Sequence, residues 1–358
     1  MATTFKTITA DDNITSRTLL HEHIPITGSI VSGTYNDENI KTYAHGMFQS
    51  VFDYPFLSSS ANHLFDVTFG YANDSDLSAS TNSQNAKKIN IYNQMAQVLM
   101  GHDESGSIRQ FDRDGNIVGG GTKLKETVFF NFSRLIVKDE IKKGSFSLKL
   151  NLSGATSAPE NDIEFKDFDA TANSNYFTNS PAGEYGILYT SSVSGERSED
   201  EGFGLIFYQA GVCVLTASVF SSSFVSTTDD QDVPFGSQTN ANDKGWLAVA
   251  TGSDIDAFAD GVRNRFYNVS FNNTTELNSS IYFCRVNHND FNYSSNPTYV
   301  DTDSQIRVKN QSGDQPVSYI TTVGLYSADN ELLAVAKLSE PLKKTPSEEL
   351  TLRVRLDY

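Results

Sequence analysis

The sequence predicts a mainly β protein, built of antiparallel sheets in sandwich-like modules, with one clear amphipathic helix near residues 83–100. Three observations predict it. The 24 Phe and 16 Tyr, against 1 Trp, are aromatic residues of the kind strands favour. Short apolar runs alternate with loops rich in Ser, Thr and Asn, which is the punctuation of many turns. The closing segment L-T-L-R-V-R-L-D-Y puts Leu350, Leu352, Val354 and Leu356 on one side of an extended chain and Thr351, Arg353 and Arg355 on the other, the alternation of a half-buried strand.

Residues 1–35 read as extended, because Pro25 and Gly28 interrupt any long helix around His21–His23. The aromatic stretch 40–71 opens on a segment with short-helix character and closes on a strand, F-D-V-T-F-G-Y. From Ser83 to Met100, Ile89, Tyr92, Ala96 and Leu99 share a helical face with Met95 beside them; Ser83 is the expected N-cap and Gly101 the expected stop. Residues 128–137 and 145–152 read as paired strands across K-D-E-I-K-K-G, and 185–190 as another strand. The run 203–220 reads as two strands about a turn at Gln209–Gly211, apolar enough to be buried on both faces. A short helix is expected at 254–266 and a strand pair at 268–286. V-S-Y-I-T-T-V-G-L-Y, the turn Ser327–Glu331, L-L-A-V-A-K-L and the closing strand then form a three-strand antiparallel meander.

A chain of 358 residues is long for one domain. Three regions are expected: 1–153 with the helix, a β region at 154–267, and the C-terminal meander at 268–358, a candidate to pack on the first. The formal net charge of −17 repels phosphate backbones and anionic membranes, so neither nucleic-acid binding nor membrane insertion is expected. No apolar run approaches the roughly 20 residues of a membrane span, and the opening residues lack a signal-peptide core, so synthesis in a cytoplasm is expected. Cys213 and Cys284 sit inside apolar runs and read as buried free thiols rather than a disulfide framework.

Candidate chemistry is sparse. His21 and His23 would share one side of a strand, about 7 Å apart, but no further ligand stands at zinc-like spacing. Asp112-Arg-Asp114-Gly-Asn116 resembles the opening of a calcium loop, yet Ile117 and Lys123 occupy the sixth and twelfth positions, where Gly and Glu belong, so it reads as a tight turn. Gly119–Thr122 lacks the ending of a phosphate loop. His45 and His63 lie near Asp53 and Asp66 without spelling a triad. The acidic groups Glu199–Glu201 and Asp229, Asp230 and Asp232 read as solvated turns. No catalytic, cofactor or metal residue is assigned, and an enzyme is not expected.

I-T-S-R-T-L-L-H-E-H-I-P-I-T-G-S-I-V-S-G-T-Y, Q-N-A-K-K-I-N-I-Y-N-Q-M-A-Q-V-L, F-F-N-F-S-R-L-I-V-K-D-E-I-K-K-G-S-F-S-L, G-L-I-F-Y-Q-A-G-V-C-V-L-T and F-N-Y-S-S-N-P-T-Y run in order along the chain. With the C-terminal Y-I-T-T-V-G-L-Y-S-A-D-N-E-L-L-A-V-A-K-L they resemble virion structural proteins of contractile-tailed bacteriophages, above all the marine myoviruses of cyanobacteria. The piece V-G-L-Y-S-A-D-N-E-L-L-A-V-A is also similar to hairpins of tail-fibre and tail-collar proteins. The resemblance implies a non-enzymatic, multi-copy virion component of the tail, baseplate or neck that binds other virion proteins and needs no cofactor. A receptor- or carbohydrate-binding module of the tail, and a capsid decoration or vertex protein, are the alternatives. Phe291, Tyr293 and Tyr299 in an aromatic loop, with Arg353 and Arg355 on the last strand, are the expected interface residues.

Overall fold

The computed structural model describes residues 5–31, 34–117, 123–151, 162–172, 176–190, 202–220, 246–292, 302, 313 and 315–358. Gly119–Thr122, Glu199–Glu201, Asp229, Asp230, Asp232, Tyr293 and Tyr299 lie outside them. The protein is mainly β, as its composition predicts. In chain order the first elements are β1 (Asn13–Thr27), α1 (Gly28–Val31), β2 (Ile40–Lys41), β3 (Gln49–Phe52), β4 (His63–Tyr71) and α2 (Asn85–Leu99). Next come β5 (Phe111–Asp112), β6 (Lys123–Leu124), β7 (Glu126–Phe132), α3 (Arg134–Val137), β8 (Glu140–Ile141) and β9 (Ser147–Asn151). Then follow β10 (Asp162–Lys166), α4 (Asp169–Ala172), β11 (Phe177–Ser180), β12 (Gly183–Thr190), β13 (Gly204–Phe207) and β14 (Val212–Thr216). The chain continues through α5 (Trp246–Gly252), α6 (Ile255–Asn264), β15 (Phe266–Val286), β16 (Ser318–Tyr326), β17 (Leu332–Lys344) and β18 (Leu350–Asp357).

Two compact units divide these elements, Leu20–Thr275 on one hand and Met1–Leu19 with Glu276–Tyr358 on the other. The divisions fall inside β1 and β15, whereas the expected boundaries lay at 153/154 and 267/268. β9 pairs with β10, and β7 with β14, straight across the first expected boundary.

In the larger unit an antiparallel sheet runs β9–β10–β12–β13–β14–β7–β4–β3–β2. Its central strands are buried on both faces. On β7, Val128, Phe130 and Phe132 join one apolar cluster and Phe129 the other; on β14, Cys213 and Leu215 face one way and Val212 and Val214 the other. The continuous apolar run at 203–216 is therefore what the sequence predicts, a strand pair with no wet face. Helix α6 covers one face, where the Phe258 ring stacks on Phe69 with centroids 3.8 Å apart. Helix α2 covers the other, so close to β4 that a Cβ on Gly70 would stand 2.7 Å from the Lys88 carbonyl oxygen.

Four local expectations change. Residues 40–52 form β2 and β3 rather than a short helix, because Ile40 and Val51 pair across them and bury in the core. The expected hairpin of 128–137 with 145–152 does not form: Ser133 accepts from the Leu135 amide at 3.4 Å and turns the chain into α3, and β7 pairs with β4 and β14 instead. The expected strand pair at 268–286 is the single strand β15. Its turn-like Asn272 and Asn273 are satisfied sideways, Asn272 donating its amide to Ser145 Oγ at 3.0 Å and Asn273 Nδ2 donating to the Ile136 carbonyl at 2.9 Å, so no turn is needed there. On helix α2, Tyr92, Ala96 and Leu99 of the expected face are buried, Ile89 is only half-buried, and Lys88 and Ile91 join the buried face. Its N-cap is Gln84, without a side-chain cap, and Ser83 Oγ instead donates to Asp254 at 2.8 Å. Gly101, at φ +75°, ends the helix as expected.

Lys88 is the unexpected member of that buried face. It is fully buried, and its Nζ donates to the carbonyls of Ser83, Ala250 and Ser253, each at 2.8 Å. Ala250 and Ser253 close the C-terminal end of α5, where unpaired carbonyls carry the negative end of the helix dipole. The ammonium thus ties α2 to the start of α6 through α5. Burial lowers its pKa to about 8, and the nearby Asp254 charge works the other way.

In the smaller unit, β16 and β17 form a two-stranded hairpin. The meander does not close. β18 pairs antiparallel with β15, from Ser279↔Asp357 to Val286↔Leu350, and not with β17. The alternation on β18 holds, with Val354 buried, Leu350, Leu352 and Leu356 half-buried, and Thr351, Arg353 and Arg355 exposed. Of the two thiols, Cys213 is fully buried, whereas Cys284 on β15 is only half-buried.

Two outcomes are expected. Deleting Leu350–Tyr358 strips β18 from β15 and should leave insoluble protein; a soluble, monodisperse truncation would contradict this. Lys88→Met leaves three buried carbonyls without their donor and should lower unfolding free energy by about 2–4 kcal/mol in urea titrations.

Candidate functional site

Each unit offers different chemistry. In the larger one, His63 Nε2 lies 2.8 Å from Asp66 Oδ1, and Ser50 Oγ donates to the same oxygen at 2.5 Å. Ser, His and Asp are present, but both partners meet on the carboxylate. A nucleophilic serine must instead donate to the histidine that activates it. Ser50 is also buried and within 3.2 Å of the Tyr43 hydroxyl, so the trio ties β3 to β4.

The histidine pair on β1 is also engaged by neighbouring chain. His21 Nδ1 lies 3.2 Å from Thr274 Oγ1 and His23 Nδ1 3.0 Å from Asn272 Oδ1. Among the described residues no group of three or more His, Cys, Asp or Glu is arranged around a metal position. The calcium-like stretch folds as a turn beside the β5–β6 pair: Asp112 Oδ2 accepts from Lys123 Nζ at 2.5 Å and from the Ile117 amide at 3.1 Å, while Asp114 accepts from the Asn116 amide. Burial raises the Asp112 pKa, with Asp114 adding to the rise and Lys123 opposing it.

One buried carboxylate escaped the sequence reading. Asp167 accepts from the Gly144 amide at 2.6 Å, the Phe146 amide at 3.0 Å and the Tyr208 hydroxyl at 3.0 Å. Burial pushes its pKa up to about 6, against the pull of these donors. It fixes the turn before β9 to the end of β13 and has no solvent access, a structural position. K-D-F-D in the sequence carries no sign of that burial.

The smaller unit has the opposite character. Only Val286, Leu325 and Val354 of its described apolar side chains are buried. Ion pairs Lys6–Asp290, Asp12–Arg285 and Arg17–Glu276 fasten its N-terminal segment, and such exposed pairs contribute at most about 1 kcal/mol each. Lys344 is its one buried lysine among the described residues, donating to the His288 carbonyl at 3.0 Å, Asn292 Oδ1 at 2.9 Å and the Thr345 carbonyl at 2.7 Å. That bond set closes the loop carrying Phe291, which is exposed, stands at φ +52° and accepts from Ser318 Oγ through its carbonyl.

Of the expected interface residues, Tyr293 and Tyr299 lie outside the described residues. Arg353 and Arg355 share the exposed face of β18. Arg355 is engaged within the unit, its Nε donating to Asp357 at 2.7 Å and its Nη2 to Ser279 at 3.0 Å. Arg353 has no carboxylate partner among the described residues.

The sequence reading also missed the outer face of the β16–β17 hairpin. Gly324 pairs with Val335, Thr322 with Lys337 and Tyr326 with Leu332, so these side chains share one face. A Cβ on Gly324 would meet the Tyr326 ring at 3.0 Å and Leu332 Cδ1 at 3.4 Å, so both lie over the glycine. The Phe5 ring meets Tyr326 edge-on with centroids 4.9 Å apart. The expected third strand would have hidden an edge here; with β18 elsewhere, the free edge of each hairpin strand pairs with no described strand.

No protein-family model matches this chain, and no curated protein or solved structure matches it either.

Asp167 gives a pH prediction. Its folded pKa of about 6 stands above the ordinary value near 4, so between the two the folded state keeps a proton that the unfolded state loses. Its contribution is complete below about pH 4 and lost as the pH climbs through about 6. Urea midpoints of the parent should therefore fall more steeply over this window than those of Asp167→Asn, by on the order of 2 kcal/mol in unfolding free energy. Parallel curves would refute it.

Proposed function

We propose that the chain is a non-enzymatic structural protein of a bacteriophage virion, most simply of the tail, baseplate or neck. It is present in several copies, assembles in the host cytoplasm and works by binding other virion proteins. The phage setting is supported by the resemblance of the ordered stretches between Ile14 and Leu338 to virion proteins of contractile-tailed phages. The net charge of −17 suits contacts with protein rather than with a phosphate backbone.

One observation carries the assembly reading. Of the 18 large hydrophobic residues exposed among the described residues, 12 belong to the smaller unit, of whose described apolar side chains only three are buried. Soluble monomers seldom leave apolar surface concentrated in this way, and such surface marks a place where another protein sits. Exposed tyrosines, Tyr319 and Tyr326, favour a second reading, a tail module that stacks on receptor sugars.

A cryo-EM map of the intact particle tests the proposal. Density for this chain at repeated positions, with Glu276–Tyr358 against neighbouring proteins, is the expected result. Particles without the chain overturn it, and retention of purified protein on host lipopolysaccharide would favour the receptor reading.

A further inference from the structure

Resting on the assembly reading, we propose that the outer face of the β16–β17 hairpin is the docking surface for a second copy of this same chain, the two hairpins packing antiparallel about a two-fold axis. The face has an apolar middle. Leu333 is 66% exposed, Leu332 and Val335 53%, and Tyr326 and Phe5 45%. Together these residues show on the order of 450 Å² to solvent, within the range in which a monomer's largest apolar patch is often functional. The outer edge of each strand pairs with no strand among the described residues, and such edges invite pairing with another chain.

Charge identifies the occupant. The larger unit carries 17 Lys and Arg against 31 Asp and Glu, a net −14, while the smaller carries 10 against 13, a net −3. Two copies repel strongly through the acidic unit and only weakly through the near-neutral one. A basic partner would be drawn to the acidic unit; a partner with the same charge has to meet the neutral one.

The hairpin is also complementary to itself. Its tip is acidic, with Asp329 and Glu331 exposed around the turn that Ser327 closes by donating its amide to the Glu331 carbonyl at 2.8 Å. The rest of the second strand is net positive, with Lys337 and Lys343 exposed on either side of an exposed Glu340. Glu331 and Lys337 are about 20 Å apart along the strand, on either side of Leu332–Val335. Antiparallel packing sets the acidic tip of one copy over the net-positive stretch of the other at both ends of the apolar middle. A two-fold contact requires such self-complementarity, since each patch meets its own image. Parallel packing would oppose like charges.

Sedimentation of the purified full chain tests this. Self-association should be visible at or below ~100 µM. Leu333→Lys with Val335→Asp, both on exposed positions, should weaken it at least tenfold with an unchanged far-UV spectrum. Glu331→Lys alone and Lys337→Glu alone should each weaken it several-fold, and the double swap should restore it, because the exchanged charges meet again across the axis. A chain that stays monomeric at that concentration overturns the inference, as does a double swap no better than the single ones, which would fit a different partner. The virion assignment is read separately from the particle map, so a monomeric chain found in the particle sinks this inference alone.

Discussion

Strands β13 and β14, and β7 from Thr127 to Phe130, are buried on both faces, and the larger unit is arranged around that constraint. A strand whose successive residues alternate between two faces can be apolar throughout only if both faces are covered. Here Phe129 and Phe130 point to opposite clusters, as do Val214 and Leu215. Helix α6 and helix α2 supply the two covers, and Lys88 fixes α2 to the end of α5, just before α6 begins. Its buried ammonium is tolerable because three carbonyls receive it, two of them at a helix end that would otherwise be left with unpaired acceptors.

The smaller unit lacks a constraint of this strength. Its strands pair, its ion pairs close, and Lys344 draws a loop shut, but little apolar surface is withdrawn from water. Backbone pairing and exposed ion pairs contribute modestly, and a lone two-stranded hairpin is marginal in water. The buried apolar side chains among the described residues thus lie mostly in the larger unit, and most of the exposed ones in the smaller, which is the contrast on which the proposed assembly role rests.

Several elements were legible because a local pattern sufficed. β4, β12, the β13–β14 hairpin, α6 and the two-sided alternation of β18 follow from apolar periodicity and turn residues. The failures came where a distant partner outweighed the local signal. Asn272 and Asn273 look like a turn, yet hydrogen bonds to Ser145 and Ile136 keep β15 straight. Lys88 carries a charge near a helix start, yet the carbonyls of Ala250 and Ser253, distant in sequence, receive it in the interior. Asp167 looks like any loop acid until Tyr208 and two amides close over it.

By itself the sequence determined the class of fold, the position of the helix and which strands have a wet face. These depend on spacing, and spacing is local. Only the tertiary structure decided that β18 joins β15 instead of β17, leaving the hairpin edge without a described partner strand, and that Tyr326, Leu332, Leu333 and Val335 are exposed. Strand pairing joins backbone groups that every residue carries, so the sequence of β18 suits either neighbour. The choice is made by which edge, and which apolar face, the rest of the fold leaves open.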